Sequence, residues 1–294
     1  MNDPVNNDVR WRTIIRVLLP VYLLAYYYLL SAGDVGGVLI RLGYTGYLVL
    51  LVWITRRIAS STSGDEAEMP RSKGMIWIQI GLLGVVILLT GLSTIRIPLW
   101  SDMTAWFFEL GEALLPAEWF GGPGNSIANP VQYFVIPFLL LLALGARPTE
   151  LGFRKGNKVW QVGLVWVALP ALVIAALLVT GSLTGQVVAR RMIGNAFQNG
   201  FFEEFLFRGA LLTRLRKVIS VPWALAIQGL VFGLWHLRAN TASMDGNLLA
   251  GLAVCIVSQT VIGVGYGYLF HKTKNLAAPS AAHVFMNVMG QSLG

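Results

Sequence analysis

The chain is built of long apolar runs separated by short polar breaks. Nine runs stand out, at about 14–32, 38–55, 75–95, 129–146, 159–183, 197–217, 222–238, 248–270 and 276–292. Most approach the ~20 residues that a helix needs to cross a ~30 Å hydrocarbon core. They are continuous and do not alternate in ten-residue segments, which favours helices over a closed β-barrel. The pattern predicts an all-α, polytopic transmembrane helical bundle of about eight or nine spans.

The breaks differ in character. Residues 56–74, with Arg56, Arg57, Asp65, Glu66, Glu68, Pro70, Arg71 and Lys73, predict a polar cytosolic loop. Between 101 and 120, Trp106, Phe107, Phe108, Trp119 and Phe120 are interspersed with Asp102, Glu109, Glu112 and Glu118. That mixture suits a helix lying in the membrane interface. The sequence GGPGNS at 121–126 then breaks it. The basic loop Ala146–Lys158, with Arg147, Arg154, Lys155 and Lys158, divides an N-terminal transmembrane helical module (1–156) from a C-terminal module (157–294).

Composition sharpens the picture. Charged residues make up 12% of the chain, against roughly 25% in soluble domains. The net charge of +8 sits in clusters at the ends of apolar runs and forms no continuous stripe, so membrane lipid is the expected partner and nucleic acid is excluded. Further clusters lie at Arg214/Arg216/Lys217 and Lys272/Lys274. Placing all of them in the cytosol gives nine spans with the N-terminus inside, and Arg96, Arg190, Arg191 and Arg238 violate that arrangement. Arg10, Arg12 and Arg16 lead into an apolar run with no small-residue cleavage site, as an uncleaved first span would. The single cysteine, Cys255, has no partner for an internal disulfide and belongs to no metal-binding spacing. The pairs Gly229/Gly233 and Gly263/Gly267 have the spacing of close helix packing.

The chemistry concentrates in Phe201–Leu212, FFEEFLFRGALL. An ionisable side chain at membrane depth costs about 2.5–3.5 kcal/mol on insertion scales, so it persists where it faces a cavity or a partner. Glu204 and Arg208, four apart, share a helix face and can neutralise each other. Glu203 then points about 100° away and is available to something else. A structural ion pair with one snorkelling acid explains this segment alone equally well.

Two further apolar helices carry histidines. His236 ends the run that contains Phe232, and His283 shares one face of the last run with Asn287. The third histidine, His271, heads a basic loop at a helix C-terminus and reads as structural. A carboxylate and two imidazoles from three helices supply a base, an acid and hydrogen-bond donors. Glu203 could take a proton from water, His236 could share it, and His283 with Asn287 could stabilise an oxyanion. Glu203, His236 and His283 could instead hold a divalent metal such as zinc with one position open. The HExxH spacing of a zincin is absent. The sequence leaves both routes open, with the metal-free one preferred.

The motifs EExxxR (Glu203, Glu204, Arg208), FxxxH (Phe232, His236) and HxxxN (His283, Asn287), in that order, resemble the CPBP family. That family groups the CAAX prenyl endopeptidases with bacterial relatives implicated in bacteriocin processing and immunity. The resemblance covers roughly the last hundred residues. It implies that 157–294 is an intramembrane endopeptidase domain with Glu203, His236, His283 and Asn287 catalytic, and Glu204, Arg208 and Phe232 supporting. It also implies a lipidated or membrane-embedded peptide or protein substrate and a multi-pass place in a bacterial or archaeal inner membrane. Two rival classes are a non-catalytic binding or bacteriocin-immunity protein, which would tolerate loss of Glu203, and a transporter. The transporter reading lacks paired half-repeats with broken helices.

Overall fold

A computed structural model describes residues 4–59, 72–91 and 97–293 of the chain. The loop residues Asp65, Glu66, Glu68, Pro70 and Arg71, together with Arg96, lie outside the described residues, as does the side chain of Arg10. The fold is all-α, and no strand occurs among the described residues. Helices α1 (Pro4–Ser31), α2 (Val35–Ile58), α3 (Lys73–Gly91), α4 (Pro98–Leu114) and α5 (Ala117–Phe120) lead to α6 (125–143). Then come α7 (Val159–Val179), α8 (185–218), α9 (Val221–Trp235), α10 (Leu237–Ser243), α11 (Leu248–Thr273) and α12 (Ala277–Leu293).

Among the described residues, six helices are long and apolar enough to cross a membrane: Trp11–Ser31, α2, α3, Pro123–Ala143, α7 and α11. This is a multi-pass integral membrane protein. The other three runs read as spans are helical too, but fall short for different reasons. The 197–217 run carries Glu203, Glu204, Arg208, Arg214, Arg216 and Lys217. Helix α9 has 15 residues and α12 has 17. At 1.5 Å per residue these reach about 23–26 Å, less than the ~30 Å hydrocarbon core.

The expected interfacial segment is two helices, because Pro116 ends the first turn pattern and starts α5. The GGPGNS break is shorter than its sequence suggests, since α6 already begins at Asn125. Within α6, Pro130 has no N–H to give the helical ladder, and the five residues Val131–Val135 after it are wound as a π-helix. Helix α8 is wound as π over Ala196–Gly200 and again over Phe205–Leu212.

Two compact units emerge, each drawing on both sides of residue 156. The first takes its described residues from 1–54, 71–92 and 211–268, the second from 55–70, 93–210 and 269–294. In the first, Ala25, Tyr26 and Leu29 of α1 are buried with Val38 of α2 and with Ala250, Ala253, Val254 and Val257 of α11. Helices α9 and α11 meet on glycine: a Cβ on Gly263 would stand 2.9 Å from the Gly229 Cα. This is the close packing that the GxxxG spacings predict.

In the second unit α12 lies along α7, where a Cβ on Gly163 would stand 3.6 Å from the Ala278 Cβ. The start of α8 is laced to the end of α12 by Arg191 Nη1 to Ser292 Oγ (2.7 Å) and Asn195 Nδ2 to Gln291 Oε1 (3.0 Å). These contacts set the approach of the two helices that carry the motif residues of this unit.

Candidate active site

Helix α8 starts with Thr184 as its N-cap, its hydroxyl accepting from the Val187 N–H at 3.3 Å. Eleven regular residues later the helix widens, and the π turn ends at Gly200. A Cβ there would collide with Val284 Cγ2 of α12 and come within 3.5 Å of the Ser280 carbonyl. Glycine therefore lets α8 press against α12 one turn before the two glutamates. The following residues, Phe201–Glu204, form one α turn, and the second π segment carries Arg208.

The two helices assemble a buried charged series. Glu204, Arg208, Glu203 and His283 are 0%, 0%, 4% and 5% exposed, so bulk water cannot satisfy them. Arg208 Nη1 donates to Glu204 Oε1 at 2.9 Å, the i,i+4 pair that the spacing predicts. The same oxygen faces His283 Nδ1 at 2.8 Å. Paired with a guanidinium, Glu204 is an acceptor, so Nδ1 carries the proton. That directs the other ring nitrogen, Nε2, to Glu203 Oε2, 3.8 Å away. This gap exceeds hydrogen-bond length. The glutamate read as supporting is thus the one that holds the histidine, while Glu203 stands across from the histidine's second nitrogen.

Asn287 lies one turn beyond His283 on the continuous helix α12, half-buried. His236 and Phe232 belong to the first unit. His236 ends α9 there, and its Nδ1 donates to the Phe232 carbonyl at 2.9 Å. This carbonyl is among the last four of the helix, which lack ordinary ladder partners. A carbonyl can only accept, so the proton sits on Nδ1 and Nε2 is the acceptor nitrogen of the ring. Phe232 itself is buried, its ring edge-on to the imidazole at 4.7 Å. The structure thus brings Glu203, Glu204, Arg208 and His283 together, and orients His236 within its own unit.

Sequence reasoning missed Asn199. With its amide nitrogen turned toward the acceptors around it, that nitrogen is 3.0 Å from the Gln198 carbonyl and 3.3 Å from Glu203 Oε1. The signal was present: Asn199 and Glu203 are four apart, the same spacing that singled out Glu204 and Arg208. Among the described residues, no group of three or more His, Cys, Asp and Glu side chains is gathered as a metal site. In the second unit, Glu203 Oε2 and His283 Nε2 face each other at 3.8 Å, while Glu204 Oε1 accepts from Arg208 and faces Nδ1.

Residues 185–289 match the family model described as type II CAAX prenyl endopeptidase Rce1-like. This stretch is similar to the CAAX proteases, and the match spans about a third of the chain. The Rce1-like segment begins at the first residue of α8, closes four residues before the described end of α12, and contains every motif residue named above. The chain matches no curated protein and no solved structure.

Proposed function

We propose that the protein is an intramembrane endopeptidase in which Glu203 activates water to hydrolyse a peptide bond of a membrane-associated, lipidated substrate. The observation that carries this reading is the buried series Arg208–Glu204–His283–Glu203, built on the Rce1-like segment. A structural ion pair needs only Glu204 and Arg208. Retaining a second carboxylate and an imidazole at the same depth costs several kcal/mol more, which a purely structural role does not offset.

In the proposed step a water lies against Glu203 and His283 Nε2. Glu203 takes its proton while the water oxygen attacks the amide carbon. The tetrahedral oxyanion is stabilised by the Asn287 amide. Collapse breaks the C–N bond, and the proton passes to the departing amine. Glu204 accepts from Nδ1 of His283 and keeps its ring aimed, and Arg208 holds the Glu204 carboxylate in place. The role first given to His283, oxyanion donor, is here replaced by proton sharing, because its Nε2 is directed at Glu203. His236 enters as a second acid–base group on the strength of its motif alone. If a divalent cation is used, Glu203 and His283 would be ligands, and it would supply a more acidic water.

The test compares protein termini in membranes of cells carrying wild type, Glu203→Ala or His271→Ala at matched expression. New termini with wild type and His271→Ala, absent with Glu203→Ala, are expected. Identical termini in all three would overturn the peptidase reading and favour a binding protein.

A further inference from the structure

Glu203 is not held by the family motifs alone. With the Asn199 amide turned so that its nitrogen meets acceptors, that nitrogen lies 3.3 Å from Glu203 Oε1, and the orientation needs something to fix it. What fixes it is the Gln198 carbonyl, which accepts from Asn199 Nδ2 at 3.0 Å and from Asn129 Nδ2 of α6, also at 3.0 Å. The Gln198 side chain is anchored in turn, its Nε2 donating to the Phe120 carbonyl (2.9 Å) and to Ser126 Oγ (3.3 Å). Gly122 leaves the space: a Cβ there would stand 3.2 Å from the Gln198 amide. Phe120, Gly122, Ser126 and Asn129 span the glycine-rich break and the start of α6. They all lie outside the Rce1-like segment.

The π winding explains why the amides can do this. In a π turn each residue advances the helix less than in an α turn, and the backbone ladder shifts to i→i+5. Over Ala196–Gly200 this presents two consecutive amide residues to two different partners. Gln198 meets the glycine-rich break and Asn199 meets Glu203.

We infer that Asn199, aligned by the Gln198 carbonyl and braced by the glycine-rich segment 120–129, is a positioning residue that holds the Glu203 carboxylate for catalysis. An amide has two N–H donors, and here one goes to the brace and the other to the carboxylate. A carboxylate so held keeps Oε1 occupied and presents Oε2 to His283 and the water. Without Asn199 the Glu203 side chain recovers rotamer freedom, and the population in reacting geometry falls.

The inference rests on the peptidase reading, so its test separates the two. The full-length protein in lipid nanodiscs is assayed for release of the C-terminal tripeptide from a prenylated CAAX peptide. Kinetics are followed for wild type, Glu203→Ala, Asn199→Leu and Asn199→Asp, with thermal unfolding of each. Leucine keeps the volume and removes the donor. Aspartate keeps the shape and turns an acceptor toward Glu203. The expected result is a kcat reduced about tenfold or more in both variants, KM within about twofold of wild type, and melting temperatures near wild type.

If wild type cleaves, Glu203→Ala does not, and a folded Asn199 variant keeps kcat within twofold, the positioning role is overturned while the peptidase reading stands. A raised KM with unchanged kcat, or loss of folding in both variants, likewise overturns it in favour of a structural role. If Glu203→Ala cleaves like wild type, the peptidase reading itself falls, and this inference with it.

Discussion

At the scale of single residues, the site turns on one oxygen. Glu204 Oε1 accepts from both Arg208 and His283, so three buried side chains share one point. Removing one partner of a buried ion pair strands the other charge, typically at about 3–5 kcal/mol. Arg208→Leu should therefore lower stability by about that much, measured by unfolding in detergent micelles. Adding Glu204→Gln to it should cost less than the sum of the two single changes, because the stranded carboxylate is gone. Additive losses would show that the pair is not the coupled unit described.

The pair was legible from spacing alone, because i,i+4 neighbours face each other whatever lies around the helix. That His283 would choose Glu204 over Glu203 was not legible. The choice depends on the approach of a helix some eighty residues away, which no local pattern encodes.

At the scale of elements, glycine and π winding set that approach. Gly200 sits where α8 meets α12, and a methyl group there collides with Val284, whose β-branched side chain has little freedom to move aside. Gly200→Ala should push the helices apart by a few tenths of an ångström or more and lengthen the 2.8 Å contact between His283 and Glu204. A loss of activity of about tenfold is expected, with Gly290→Ala as the control, because a Cβ at Gly290 meets nothing within 4 Å. Should Gly200→Ala match Gly290→Ala in turnover, the close approach is not what shapes the site.

The apolar runs revealed the helices, since hydrophobicity over twenty residues is a property of composition. The π segments stayed hidden. Only the one after Pro130 has a sequence cause that could have been read in advance, the missing N–H.

At the scale of the whole molecule, the basic loop at 146–158 is the expected boundary between an N-terminal and a C-terminal module, and each compact unit draws on residues from both sides of it. The second unit takes 55–70 and 93–156 from one side of that border and 157–210 and 269–294 from the other. A fragment of 157–294 would lack α4, α5 and α6, and with them Asn129, Ser126 and the Phe120 carbonyl that brace the turn before Glu203. It would also lose Phe134, whose ring lies 5.5 Å from Phe201 and 4.8 Å from Phe205. In the first unit the fragment would lose Gln79, whose Oε1 accepts from the buried Arg214 at 3.2 Å. Expressed alone, 157–294 should fail to reach a protease-resistant fold in membranes and show no cleavage. Co-expressed with 1–156, it should recover both, since the missing contacts are noncovalent and the cut falls in a polar loop. Limited proteolysis of the membranes, read beside the tripeptide-release assay, checks both statements. Full activity from 157–294 by itself would mean that the Rce1-like segment builds its site without the first half of the chain, and that the bracing of Asn199 by α6 is dispensable.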